Sequence, residues 1–273
     1  MATALEKTYI KSLNNGKILR LSVGLWFITA TLGQWMFAFY VIAFYGRATV
    51  TGNIEKWNLV LPKGYISGDF VGNLVVGVHL ILAAIIIICG PLQIISQTKK
   101  YMPTFHRWSG RLYIFTAVIT SLSGLIMVWT RGSVGGLAQH ISISINAILI
   151  FVSAFFTVRY AMDDDLKQHR IWALRLFLLV NGVWFFRIGL MFWLLVNGRA
   201  VGFDPDTFEG PFLIFLSISQ YTLPLILLEL YQRAKISKNG TLNLAVSALL
   251  VLFTFVMAVG IFGAAMGMWL PRI

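Results

Sequence analysis

The chain has 273 residues, of which 58% are hydrophobic and only 12% charged, with a net charge of +12. So few charges cannot furnish the polar surface of a water-soluble globule, which excludes a soluble enzyme or binding domain and leaves an integral membrane protein. The basic residues sit in short stretches between apolar runs, so they read as orientation signals and no nucleic-acid partner is expected.

In chain order, the first twenty residues carry Lys7, Lys11, Lys17 and Arg20 against one acid, Glu6, and read as a cytoplasmic lead-in. The apolar run from about Leu21 to Tyr45 is too long for a signal-peptide core and is followed by no small-residue cleavage site, so it reads as a transmembrane helix. A polar stretch from Gly46 to Asp69, with Trp57, Pro62 and several glycines, forms the longest loop. It is either a lid or, as is commoner, a solvated connection.

Further apolar spans follow at roughly 72–97, 105–130, 138–160, 169–197, 211–231 and 242–269, each near or above the length that covers the hydrocarbon core. The expected fold is therefore an all-α integral membrane protein of seven transmembrane helices in one domain, roughly 1–273. Within it lie an N-terminal helix and outer loop (about 1–71), a central four-helix bundle of helices two to five (about 72–197) and two peripheral helices (about 211–273). Short connections make sequence neighbours antiparallel and adjacent. Pro91 and Pro224 fall inside spans and are expected to kink them.

Lysine and arginine set the orientation. Lys99, Lys100, Arg107, Arg111, Arg159, Lys167, Arg170, Arg175, Arg233, Lys235 and Lys238 gather on the side of the N-terminus. The other side has only Arg47, Lys56, Lys63, Arg131, Arg199 and Arg272, diluted by Asp69, Asp204, Asp206 and Glu209. The N-terminus is then expected in the cytoplasm and the C-terminus outside. The single cysteine, Cys89, lies inside an apolar run, which excludes an intramolecular disulfide, a Cys-based zinc site and a Cys-X-X-Cys-His motif for covalent haem.

The chain has four histidines, and their depths are ordered. His106 and His169 open two similar phrases, His106-Arg107-Trp108-Ser109-Gly110-Arg111 and His169-Arg170-Ile171-Trp172-Ala173-Leu174-Arg175, at the cytoplasmic starts of the third and fifth helices. His79 and His140 lie towards the outer ends of the second and fourth, roughly 20 Å away along the helix axis. Two hairpins each contributing one outer and one inner histidine bring His79 opposite His140 and His106 opposite His169. Each pair offers two imidazoles to a six-coordinate b-type haem, so two haem b groups are expected, with ligation that leaves no open iron position. Four residues later stands a small residue in each case, Ala83, Gly110, Ser144 and Ala173, on the ligand's own face where a porphyrin needs room.

Arg107, Arg111, Arg170 and Arg175 are candidates to hold the propionates of an inner haem, with membrane anchoring an equal alternative for each. Arg187 stands near the middle of the fifth span, where a charge normally faces the interior and has a partner. That partner is an outer propionate or, structurally, Gln34, Asn181 or a helix carbonyl. Trp108, Trp172 and Trp184 are placed to border the haems or to anchor in lipid. The acidic stretch Asp204-Pro205-Asp206-Thr207-Phe208-Glu209 is a docking loop for a cationic acceptor or, more simply, acids ahead of a helix N-terminus, and Asp163-Asp164-Asp165 a solvated turn.

Four histidines on four successive helices over about 72–197 resemble the cytochrome b561 family of transmembrane diheme electron carriers. The phrases around His106 and His169, with Arg187 downstream, also resemble DUF2306, a family of bacterial membrane proteins. The b561 resemblance implies two non-covalent haems, one near each face, carrying electrons across the bilayer, with His79 and His140 in the outer role and His106 and His169 in the inner. Seven helices and the lack of an ascorbate site set the chain apart from eukaryotic b561 proteins. The expected function is a diheme cytochrome of a bacterial cytoplasmic membrane, exchanging electrons with a quinol, a cytoplasmic reductant or an external ferric or siderophore species, with a homodimer left open. The alternative is a haem-free transporter or structural component whose histidines bind protons or metal ions.

Overall fold

The computed structural model describes residues 4–132, 135–237 and 239–273, with side chains from Asn15 onward. Its helices are α1 (Ala4–Val41), α2 (Arg47–Val50), α3 (Phe70–Ile94), α4 (Ser96–Tyr101), α5 (Pro103–Arg131), α6 (Leu137–Met162), α7 (Leu166–Val180), α8 (Gly182–Asn197), α9 (Pro211–Ile236) and α10 (Gly240–Ala264). Local chemistry sets many of their ends. Asp69 caps α3 by accepting from Gly72 N–H at 2.9 Å, Asp165 caps α7 through Gln168 N–H, and Asn239 caps α10 through Thr241 N–H. Pro103 and Pro211 open α5 and α9, where a missing N–H is no loss, and Gly198 closes α8 with φ 66°.

Among the described residues, six helices are long and apolar enough to cross a membrane, and a seventh span arises if α7 and α8, bent by 50° at their junction, are taken together. The chain is thus an integral multi-pass membrane protein. The continuous fifth helix expected over 169–197 is corrected by this break at Asn181. Asn181 Nδ2 donates to Phe177 O at 2.7 Å and Asn146 Nδ2, from α6, donates to Leu179 O at 3.1 Å, so side chains take carbonyls of the last turn of α7. Gly182 then lets α6 come close, since a Cβ there would stand 3.0 Å from Asn146 Nδ2. Pro91 and Pro224, by contrast, lie inside helices that run through them.

The N-terminal lead-in is itself helical, since α1 begins at Ala4, and it continues through a π-helical turn (Ile42–Gly46) into α2. The long loop is ordered as well. A 3₁₀ turn (Ile54–Leu59) pushes Trp57 into the protein, 6% exposed, against Tyr45 and beside Gly77 of α3.

The helices pack around two main cores. Ile86 of α3, Tyr113 and Ala117 of α5, Ile150 and Ala154 of α6 and Leu176 and Leu179 of α7 share one core with Tyr221 of α9. The four histidine-bearing helices therefore do converge on common packing. A second core joins α1, α3, α8, α10 and the π-helical turn after it (Ala265–Trp269) through Phe37, Tyr40, Val76, Trp184, Ile188, Met257 and Trp269.

Candidate functional site

Helix position places the histidines around the first core. His106, His140 and His169 are each the fourth residue of their helix, while His79 lies a third of the way into α3. Two turns beyond them, on the same face, stand Tyr113, Ala147, Leu176 and Ile86, all buried. The packed layer formed by Ile86, Tyr113 and Leu176 lies between the two histidine levels.

Two histidines are held through Nδ1 by oxygens of neighbouring helices. His169 Nδ1 is 2.8 Å from the carbonyl oxygen of Thr157, which can only accept, so Nδ1 carries the proton and Nε2 keeps a lone pair. His79 Nδ1 is 2.9 Å from Ser123 Oγ, and that hydroxyl also lies 2.9 Å from Thr120 O. With the Ser123 hydrogen on Thr120 O, Ser123 accepts from His79 Nδ1–H, and in the neutral ring Nε2 of His79 holds the lone pair; with that hydrogen on Nδ1 the tautomer is reversed. An imidazole held through Nδ1–H by a protein oxygen, with Nε2 free, is the form that ligates a metal.

At the basic end, His106 and His169 are near enough to act on each other electrostatically, and Lys99 acts on His106 as well. His106 Nδ1 is buried without a hydrogen-bond partner. At the opposite end, the ring of His140 meets Trp129 edge-on at 5.7 Å, and Ser144 Oγ donates to His140 O while accepting from Trp129 Nε1. His79 instead lies against Ser123 and Gly124 of α5. Ser123 and Thr157, which orient two of the histidines, went unrecognised in the sequence. The signal of Ser123 is a hydroxyl inside an apolar run, whereas Thr157 acts through its backbone carbonyl, which no side-chain pattern marks.

The small residues fare unequally. Ala83 and Ala173 are half-buried. At Gly110 an added Cβ would stand 3.0 Å from Gln93 Oε1, and Gln93 Nε2 donates to Ser109 Oγ, so this space serves the approach of α3 to α5. Ser144 is tied to His140 and Trp129 as described.

Among the arginines, Arg107, Arg111 and Arg170 are exposed, Arg111 lying over the Trp108 ring at 5.0 Å. Arg175 bonds Glu229 of α9 at 2.6 Å and stacks over Trp172 at 4.5 Å. Arg187 is half-buried over the ring of Phe37, 5.4 Å from its centroid, and acts electrostatically on His79 and Tyr45. Its structural alternatives bind elsewhere or not at all: Asn181 Nδ2 bonds its own helix, and the amide of Gln34 has no partner.

Arg131 does what no sequence signal announced. Its guanidinium bonds the carbonyls of Lys63 and Gly64, Asp69 Oδ2 at 2.5 Å and Asn73 Oδ1 at 2.9 Å, and so ties the ordered loop to α3 and α5. The Gly72 N–H and the Arg131 guanidinium hold the Asp69 carboxyl below its usual range. The acidic loop closes on itself through Asp204 N–H to Glu209 O, with Glu209 beside Gly136 at the start of α6. Asp163-Asp164-Asp165 is a capping turn, in which Asp163 pairs with Arg159 and Asp165 caps α7.

The class defined so far is a multi-pass helical membrane protein with histidines at both ends of a shared helix core. Residues 76–205 match the model of a family described as a predicted membrane protein (DUF2306), and this stretch contains all four histidines and Arg187. Neither a curated protein nor a solved structure matches the chain.

Proposed function

We propose that the protein is a b561-like diheme b-type cytochrome carrying electrons across the membrane. The observation that supports this reading is that a histidine at each level is held through Nδ1, His79 by Ser123 Oγ and His169 by the Thr157 carbonyl. In this reading His106 and His169 hold one haem at the basic end, and His79 and His140 hold the other. A bis-imidazole iron porphyrin, when bound, supplies a one-electron couple with no open coordination position. Arg187 and the exposed Arg107 and Arg170 remain available to carboxylates, whereas Arg175 is engaged by Glu229. The basic end faces the cytoplasm by the positive-inside rule, and a quinol, a cytoplasmic reductant or an external ferric species is the redox partner.

The test is an absorption spectrum with pyridine-haemochrome quantification on protein purified in detergent after expression with ample haem. Two haems per chain are expected, and His79→Ala and His106→Ala should each remove a different one. A colourless protein overturns the reading, and loss of the same haem in both variants overturns the pairing.

A second reading, a haem-free proton-handling transporter, is favoured by one feature. Gln139, Ser142, Asn146, Ser153 and Thr157 form a buried polar face along α6 that ends where His169 bonds Thr157 O. The same spectrum separates the two.

A further inference from the structure

Between α1, α7, α8, α9 and α10 lies an apolar slot of about 440 Å³ that none of the histidines lines. Trp193 and Phe212 line its outer end, and Val23, Leu174 and Tyr231 its inner end. From Phe212 to Tyr231 along α9 is about 28 Å at the helical rise. The hydrocarbon core of a bilayer is about 30 Å thick, so the slot runs through both leaflets. Ser219 and Gln220 bring the polar side chains of its wall, and Gln220 gives its amide N–H to Ser217 O on the same helix. Such walls suit a hydrocarbon chain, and their position among spanning helices means that the chain comes from the lipid.

The two ends of the slot differ in charge. One turn beyond its innermost lining residue, towards the cytoplasm, each of three helices carries a cation on the same face. These are Arg20 before Val23 on α1, Arg170 before Leu174 on α7 and Lys235 after Tyr231 on α9. All three are exposed, and none is ion-paired among the described residues. The acids ahead of α7 are otherwise engaged, since Asp163 pairs with Arg159 and Asp165 accepts from Gln168 N–H. At the outer end no Lys or Arg stands within a turn of Trp193 or Phe212, and Glu209 precedes α9 there. The occupant that fits has an anionic head at the cytoplasmic mouth and a chain that continues past the middle of the bilayer.

We infer that the slot binds one polyprenyl phosphate, with the phosphate held by Arg20, Arg170 and Lys235 and the isoprenoid chain lying along α9. Length decides between this lipid and an ordinary phospholipid. Phospholipid chains end near the bilayer midplane, about 15 Å from the interface, and would leave the outer half of the slot, from Pro224 to Phe212, unfilled. A polyprenyl chain reaches through that half, and its single phosphate meets the cations gathered at one mouth. The inference goes beyond the cytochrome reading and uses no histidine, so the site stands or falls independently of haem. Arg170 so engaged leaves Arg107 and Arg187 for haem carboxylates.

The test is native mass spectrometry of the full-length protein released from detergent, with undecaprenyl phosphate, undecaprenol or phosphatidylglycerol added. One undecaprenyl phosphate per chain is expected, at a half-saturating concentration roughly tenfold below that of either other lipid. Arg20→Gln and Lys235→Gln alter exposed side chains, and each should raise that concentration several-fold for the phosphate while leaving undecaprenol unchanged. Leu223→Trp, which fills the slot near its middle, should abolish binding of both prenyl lipids in a protein that still unfolds cooperatively. Should that variant fail to fold, the three lipids and the two rim variants decide alone. Phosphatidylglycerol or undecaprenol binding as tightly as undecaprenyl phosphate overturns the inference, and so does a half-saturating concentration unchanged in both rim variants. A colourless protein that binds the prenyl phosphate would sink the cytochrome while leaving this site in place.

Discussion

Ser123 Oγ lies 2.9 Å from His79 Nδ1 and 2.9 Å from Thr120 O, so one hydroxyl bridges a ring nitrogen of α3 and a carbonyl of its own helix. That hydroxyl on α5 holds the imidazole on α3 through Nδ1. Ser123→Ala should weaken cofactor retention at that level by about ten- to hundredfold, the usual effect of removing such an orienting partner. The measurement is haem transfer to apomyoglobin, which should accelerate for one haem and not the other. Ser123→Thr, which keeps the hydroxyl, should restore the slow rate, and equal rates for Ser123→Ala and the unaltered protein would mean that the clamp has no part in holding the cofactor.

Why some of this was legible in the sequence and some not follows from the physics of each residue. The spans were readable because a run of about twenty apolar residues has few other uses, and the histidines because they recur at matching depths. The break at Asn181 was not, since it depends on Asn146 reaching across from another helix to take Leu179 O. Arg175 looked like a propionate ligand beside His169 because nothing in the sequence says that Glu229, more than fifty residues on, will meet it. Arg131 looked like an ordinary charge at a helix end for the same reason. Thr31 and Gln34 stood in plain view inside the first apolar run, but that they are buried without partners depends on how α1 packs against other helices.

The junction of α7 and α8 should be intolerant of bulk. Gly182→Ala places a Cβ 3.0 Å from Asn146 Nδ2, and because that amide is bonded to Leu179 O it cannot retreat freely. The expected destabilisation is about 1–3 kcal/mol, typical of overpacking, measured by denaturant titration in detergent. Combined with Asn146→Ala the two effects should be less than additive, because the second change removes the obstacle created by the first. Full additivity would show that the close approach is not what the glycine serves.

The loop between α2 and α3 should be released by acid. The Asp69 carboxyl is held below its usual range by the Gly72 N–H first and the Arg131 guanidinium second. A depressed pKa in the folded state contributes stability that is fully present above the unfolded value of about 3.9 and disappears as pH falls through the folded one. Proteolytic cutting within Ile54–Leu59 by an acid-active protease should therefore be slow at pH 5 and rise steeply below about pH 3.9. Asp69→Asn should show the faster cutting already at pH 5, and Arg131→Ala more so, since it also frees the Lys63 and Gly64 carbonyls. A pH-independent rate in the unaltered protein would show that the ion pair does not hold the loop.

Gln34→Leu should stabilise the protein. The side chains are close in volume, so the core of Phe37, Trp184 and Met257 need not shift, while two buried amide atoms without partners disappear. Removing such atoms is worth about 1–3 kcal/mol, the desolvation penalty that an unsatisfied polar group carries. Thermal unfolding in detergent should therefore rank the variant above the unaltered protein. A variant that is less stable would mean that Gln34 contributes to packing on its own account.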